Sequence, residues 1–403
     1  MKRNATISLI AALGVLLAPF AGSAQLATPE AQDPLMADFL SATPAAPPSL
    51  VQARQHFFGA ENVNPVTGKV RPDRVILSWF SVSSLAATLR GRVVLLDTYI
   101  DSREDYPNRV PTTLGELVAL QPEMIFIGHG HFDHADTAGY LAGVTGATVV
   151  GTPEHCAQVR ANAQAALGSP VAIKCVEAVS ANSVPGAEVN ELSVLQPDVC
   201  ITAFKHVHSA AEPPDPTFPL NPPVLIPDPG TLLLHPPGPG PSDHISSAGD
   251  EGWSLFYQFR MDDFALAWHD TVGPLKERAP QVFDVMRSLP PTDVEAGAIL
   301  GFNLFTNSVR DPVMYIDAVE PKIFVPLHHD FRFVTPESSG DDWKAAMERE
   351  MVVLPASKRP ELRWLYDPVD YLRPGLLTFD IKAPYWATGG SPTRPAGTCK
   401  RAK

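Results

Sequence analysis

From Arg74 onward the chain falls into short apolar runs separated by polar or Gly-containing breaks. "RVILSWFSVSSLAATLRGRVVLLDTYI" reads as two or three strands, and Arg90-Gly91-Arg92 supplies a hairpin turn between the last two. "TTLGELVALQ", residues 112–121, changes to helical spacing, with Thr113 placed to cap it. The strand "EMIFIG" follows. Next come "DTAGYLAGVTG" as a helix, "ATVVG" as a strand, "PEHCAQVRANAQAAL" as a helix and "AIKCVEA" as a strand. Further strands are expected in "SVLQPDVCITAFKHVHS", "WSLFYQFRMDDFALAWHD" and "KIFVPLHHD". Hairpins mixed with strand–helix units predict an α/β architecture of two stacked sheets with helices outside them.

Segments without this patterning mark the boundaries. Residues 1–24 run from Lys2 and Arg3 through an apolar stretch, Ile7 to Phe20, to the small-residue run ending at Ala24. That order predicts a secretory signal peptide, with an exported, periplasmic or extracellular product and no membrane span after cleavage. Residues 25–73 are rich in Ala and Pro and are expected to lie extended over the domain, which covers 74–385 and leaves 386–403 as a tail. Within the domain, residues 212–244 hold twelve prolines between Pro213 and Pro241, too many for a helix or a sheet interior. This Pro-rich loop insertion, with Phe218, Leu220 and residues 224–226, is expected to wall a substrate site.

Composition narrows the class. A chain of 403 residues with 45% hydrophobic and 19% charged residues can bury a large core and is not disordered throughout. Its formal net charge of −13 repels phosphate backbones, so no nucleic-acid partner is expected, and that number alone favours neither cationic nor neutral substrates. Four cysteines in an exported protein read as disulfides. The local pair Cys156–Cys175 is the first choice, which leaves Cys200–Cys399.

The chemistry concentrates in "IFIGHGHFDHADT", residues 125–137. His129, His131, Asp133 and His134 leave the end of an apolar strand together, and imidazoles mixed with carboxylates suit zinc, manganese or iron rather than calcium. Further donors stand at the ends of other expected strands: His206 and His208, His269 and Asp270, then His328, His329 and Asp330.

"HGHFDH" resembles the His-x-His-x-Asp-His signature of the metallo-β-lactamase superfamily. The later "HS", "DT" and "PLHHD" follow in that superfamily's order, and "GRVVLLDT", ending near Asp97, is similar to the strand that precedes its site. Among branches the likeness is to the lactonase-like and N-acylphosphatidylethanolamine-phospholipase-like hydrolases. The resemblance implies an αββα four-layer sandwich holding two divalent metal ions, zinc first, with manganese or iron as alternatives. His129, His131 and His208 would hold one ion, and Asp133, His134 and His328 the other. Asp270 would bridge both, and Asp133 would also orient a shared hydroxide nucleophile. His206 remains an alternative to His208, and His329 to His328. His269 departs from the glycine usual before the bridging Asp. The implied activity is hydrolysis of an ester, lactone or phosphodiester in a small-molecule or lipid-like substrate; a glyoxalase-like thioesterase and a non-catalytic metal-binding protein are the competing readings.

Overall fold

The strands form two sheets of seven in the computed structural model. It describes residues 33–100, 112–218, 251–330 except 262, 340–365 and 372–387 except 373. The expected signal peptide, the greater part of the Pro-rich insertion, Cys399 and the tail from 388 onward lie outside the described residues.

The first sheet contains β1 (Arg74–Ser81), β2 (Ser84–Leu89), β3 (Arg92–Leu96), β4 (Met124–Phe126), β5 (Thr148–Gly151), β6 (Cys175–Glu177) and β14 (Thr378–Asp380), in the order β14-β1-β2-β3-β4-β5-β6. The second contains β7 (Val189–Leu192), β8 (Cys200–His206), β9 (Ser254–Met261), β10 (Phe264–His269), β11 (Val294–Ala298), β12 (Ile323–Leu327) and β13 (Glu361–Leu362), in the order β13-β12-β11-β10-β9-β8-β7. Each sheet is antiparallel on one side and parallel on the other: β3 to β6 pair in parallel, as do β10 to β13. Parallel pairing aligns the C-terminal ends of neighbouring strands along one edge, and the donor-bearing segments leave the sheets there.

Alternation along the strands explains the layers. On β1, Val75, Leu77 and Trp79 face the space between the sheets with Phe126, Phe259 and Trp268, while Ile76 faces outward into a second cluster with Phe58, Leu117, Leu141 and Val159. That outer layer is built by α2 (Pro48–Phe58), α3 (Leu114–Leu120), α5 (Ala138–Thr145) and α6 (Pro153–Leu167), numbered in order with α1 (Pro34–Leu40) and the short α4 (Phe132–Ala135). Helices Gln281–Ser288 and Arg310–Val319 cover the other sheet through Val282, Met286, Tyr315 and Val319. The order is helix, sheet, sheet, helix, as expected.

Local signals held where their chemistry is strict. Arg90 and Gly91, at φ 54° and 80°, make the β2–β3 turn. Thr113 caps α3 by accepting from Glu116 N at 3.2 Å, and the Glu116 side chain returns to Thr113 N at 2.7 Å. Cys156 and Cys175 are joined, with Cα atoms 5.7 Å apart, tying α6 to β6. Closing a loop of that sequence separation, 19 residues, contributes about 3 kcal/mol in the chain-entropy view. The other expected bridge involves Cys399, outside the described residues.

The expectation of an extended segment over 25–73 is corrected by α1 and α2. Pro34 and Pro48 begin these helices, and a helix loses nothing there because its first N–H groups have no partner inside it. Asp33 caps α1 by accepting from Leu35 N at 3.0 Å, and Phe57 and Phe58 are wholly buried at the end of α2. Two of the prolines that argued for an extended chain, Pro34 and Pro48, are helix starters.

Candidate metal centre

Four strands deliver the donors at one edge. β4 leads through Ile127 and Gly128 to His129, His131, Asp133 and His134; β8 leads to His208, β10 to Asp270 and β12 to His328. The ends of these strands are tied down. The Tyr257 hydroxyl donates to Ile127 O at 3.0 Å, Gly130 N donates to Glu251 O at 2.7 Å, and His328 N donates to Val82 O at 2.9 Å. Val82, Asp97 and His328 all have positive φ, at 51°, 55° and 66°. Non-glycine residues held there cost about 1–3 kcal/mol each, so strain is concentrated around the donor set.

His129, His131 and His208 bring ligand nitrogens within 4.8 Å of one another, with His129 Nε2 and His131 Nδ1 3.0 Å apart. His208 Nδ1–H donates to Ser209 O at 3.0 Å, which leaves its Nε2 as the lone-pair atom. A second group forms around His134 Nε2, 3.3 Å from His328 Nε2 and 3.5 Å from Asp133 Oδ2, with His328 and Asp133 3.6 Å apart. His134 Nδ1–H faces Asp97 Oδ2 at 2.8 Å, and the Ser83 hydroxyl donates to the same oxygen at 2.8 Å. A carboxylate behind an imidazole fixes the tautomer that presents a lone pair on the other nitrogen.

Asp270 lies where Gly128 leaves room for it. A Cβ on Gly128 would fall 2.0 Å from Asp270 Cγ. In that position Asp270 Oδ2 meets the Nδ1 edges of His129 at 2.8 Å and His134 at 3.3 Å, opposite the nitrogens that face the other donors. The resemblance implies a bridging ligand, and Asp270 forms with Asp97 and His134 a third group of donor atoms within 4.8 Å of one another, while its Oδ2 also meets His129 Nδ1. Its Oδ1 is buried without a hydrogen-bond partner.

The alternatives are resolved by what each ring touches. His206 points away from the cluster, its Nδ1 3.0 Å from the Tyr315 hydroxyl. His329 is held between Trp79 and Trp364, ring centroids at 5.0 and 4.8 Å, and its Nε2–H donates to Leu365 O at 3.1 Å. His208 and His328 face the donor set; His206 and His329 do not. Asn303 is part of a buried turn, donating to Asp311 at 2.8 Å and accepting from Glu212 N at 3.1 Å.

Electrostatics divide the donor set. Burial, and then the neighbouring imidazoles, push His129 and His208 well below the usual histidine range, keeping them neutral as ligation requires. Burial alone would lower His134, but Asp133 and Asp270 outweigh it and raise that group well above its ordinary value. Asp133 is held well below the carboxylate range, because His134 and His328 overcome its burial. Burial, then Asp97, raises Asp270 well above that range. The donor set, one group of three imidazoles, one of two imidazoles with Asp133, and one of His134 with Asp97 and Asp270, fits divalent zinc, manganese or iron.

Two sheets of mixed direction between helical layers, with His-x-His-x-Asp-His at the end of β4 and its partners at the ends of β8, β10 and β12, are decisive. The chain has the metallo-β-lactamase fold.

No family model matches the sequence. A curated protein from Pyrobaculum neutrophilum, a "UPF0173 metal-dependent hydrolase", is 31% identical over 83 residues, which is 21% of this chain and 35% of that protein. The match therefore spans about a third of the relative's length. Among solved structures, the metallo-hydrolase Igni18 of Ignicoccus hospitalis aligns at 15% identity and TM-score 0.45, covering 72% of this chain and 95% of that one. The metallo-β-lactamase-fold protein YhfI of Bacillus subtilis aligns at 9% identity and TM-score 0.41, covering 73% and 97%. An isothiocyanate hydrolase from Delia radicum gut bacteria aligns at 12% identity and TM-score 0.42, covering 69% and 93%.

Within this metallo-β-lactamase fold, His155 is a functional neighbour that sequence patterning passed over. It sits at the start of α6, where Thr152 N donates to its Nδ1 at 3.1 Å and its Nε2–H donates to Glu251 O at 3.0 Å. The same Glu251 carbonyl accepts from Gly130, between His129 and His131, so His155 braces the loop that carries them. Burial pushes His155 down to about 4 from an ordinary 6.5. As pH falls below 6.5 the unfolded chain takes up this proton and the folded chain does not. Stability present above 6.5 is therefore lost progressively down to about 4, by about 3 kcal/mol. Urea denaturation of metal-free protein across that window should show the loss, and His155→Gln should reduce it by about 3 kcal/mol, the remainder belonging to the other buried neutral histidines; an equally steep profile in the variant would assign it wholly to them.

Proposed function

We propose that the protein is an exported metal-dependent hydrolase that holds two divalent ions, zinc first with manganese or iron as alternatives, and cleaves an ester, lactone or phosphodiester. The observation that carries this reading is the convergence of His129, His131, Asp133, His134, His208 and His328 from three strand ends at one edge, each donor atom facing its neighbours. The matched segment of the Pyrobaculum neutrophilum metal-dependent hydrolase supports the same class. The Cys156–Cys175 bridge is consistent with an oxidising compartment.

Bound divalent ions supply Lewis acidity and an activated water at neutral pH. The chain's own residues do the rest. Asp97 and Asp270 hold the Nδ1 protons of His134 and His129, so the opposite nitrogens point into the site. Asp133, on the first turn of α4, is kept anionic by His134 and His328 and is the carboxylate placed to orient a nucleophilic water. Beside these donors, Phe132 and Phe218 pack on the cluster that contains Val82, Tyr99, Leu300 and Leu304. The part-buried Phe132, next to Asp133, would favour a small or lipid-like substrate with an apolar group next to the scissile bond.

The test is turnover by purified protein of a lactone, a carboxylate ester, a phosphodiester and a thioester, with and without chelator. Chelator-sensitive hydrolysis of one of the first three is expected. Preference for the thioester would move the protein to glyoxalase-like chemistry, and no turnover from protein shown to carry metal would favour a binding role.

A further inference from the structure

Behind the metal centre lies a second polar cluster that ligation does not account for. His206, His269, Glu295 and Tyr315 are all fully buried, contributed by β8, β10, β11 and the helix Arg310–Val319. Burying such groups in an apolar layer is costly unless they are hydrogen-bonded, and these are bonded chiefly to the segments that carry His208 and Asp270. His269 Nδ1–H donates to Thr271 O at 2.9 Å, while its Nε2 faces Glu295 Oε1 at 3.1 Å. The Tyr315 hydroxyl accepts from Gly273 N at 3.3 Å and donates to His206 Nδ1 at 3.0 Å. Ser209 N, next to His208, donates to the Thr271 hydroxyl at 3.2 Å.

Two chains of hydrogen bonds therefore meet at the segments on either side of the site. His208 and Asp270 lie just past the ends of β8 and β10, where no ladder bond fixes them. Backbone packing leaves them little freedom, since a Cβ on Gly273 would fall 2.2 Å from Val207 O and 2.6 Å from His208 O. His269 has its own cradle, because a Cβ on Gly297 would fall 2.2 Å from His269 Nε2. The histidine that departs from the usual glycine before Asp270 is thus accommodated by an absent side chain on β11.

We propose that Glu295–His269 and Tyr315–His206 are a positioning framework, which sets the spacing of His208 and Asp270 and through it the affinity and geometry of the metal site. This rests on the metal-site reading above. A hydrogen-bond frame behind ligands changes metal affinity by roughly 10- to 100-fold when it is broken.

The test uses the full chain titrated with Co(II), reading stoichiometry, affinity and the visible d–d spectrum. Tyr315→Phe removes one oxygen and keeps the ring; Glu295→Leu removes the partner of His269 Nε2. Both should weaken Co(II) binding roughly 10- to 100-fold and shift the spectrum. Glu295→Gln, whose amide can donate to His269 Nε2 while Nδ1–H still meets Thr271 O, should restore both. If Tyr315→Phe and Glu295→Leu are folded and bind Co(II) with wild-type affinity and spectrum, the framework is only core packing and the inference fails. Should Glu295→Leu not fold, Tyr315→Phe alone decides. Failure of the wild-type protein to bind Co(II) would instead overturn the metal-site reading.

Discussion

Under the proposed hydrolase reading, Asp270→Asn is expected to abolish metal-dependent turnover while leaving the metal-free protein at least as stable as wild type. Asp270 is fully buried and offers an oxygen within 4.8 Å of Asp97 and His134. A second carboxylate at that distance in a dry site opposes folding. Asn has the same shape, and its carbonyl oxygen can still accept from His129 Nδ1–H. The charge that balances a divalent ion is gone, however, and so is the carboxylate behind His129. Loss of metal-derived stabilisation worth several kcal/mol corresponds to a rate lower by on the order of a thousandfold. Metal content, turnover, and melting temperature with and without chelator measure the three parts. Full metal content together with wild-type turnover would remove Asp270 from the site.

The second large effect is expected at Arg310. Its guanidinium is fully buried and every donor is used: Nε and Nη2 on Asp311 at 2.9 and 2.7 Å, Nη1 on Asp215 at 2.9 Å, and Nη1 and Nη2 on Glu277 at 2.8 and 2.9 Å. Arg310→Met leaves Asp215 and Asp311 buried with one cation fewer, and breaking a buried pair from one side costs about 3–5 kcal/mol. Lys276 still reaches Asp215, so the damage falls mainly on Asp311 and Glu277. Arg310→Lys keeps the charge but not the planar fork and should recover only part of the loss. Urea denaturation reads the magnitude, and a loss below about 1 kcal/mol would show the network to be dispensable. The functional consequence follows from what the network holds. Asp215, Asn303 and Asn307 tie residues 212–215 to the helices behind them, and that stretch leads into the Pro-rich insertion. A loosened base should change substrate KM more than metal content.

Much of the site was legible in the linear chain because its central motif is local. His129, His131, Asp133 and His134 span six positions, and a strand that ends in a short helix brings them together whatever the rest of the fold does. His208, Asp270 and His328 were legible for a related reason: each follows an apolar run, and apolar runs that are strands of one direction in a sheet end at a common edge. The layers were legible in the two periodicities, since strands buried on both faces read as continuous apolar runs and helices as stripes.

Other features had no local signal. Whether His206 or His208 faces the donor set depends on which layer receives each side chain, and Tyr315, 109 residues away, captures His206. The choice of His328 over His329 rests on Trp79 and Trp364 enclosing the latter. Asp270 reaches His129 and His134 because Gly128, just past β4 of the other sheet, leaves that space empty. Pro48 starts a helix whose Phe57 and Phe58 have a sheet to pack against, a partner the local sequence does not show. The sequence alone thus determined which residue types gather and at which edge, since strand ends and short spacings are local matters. Tertiary structure decided which atom of each residue meets which partner, because that depends on contacts between segments far apart along the chain.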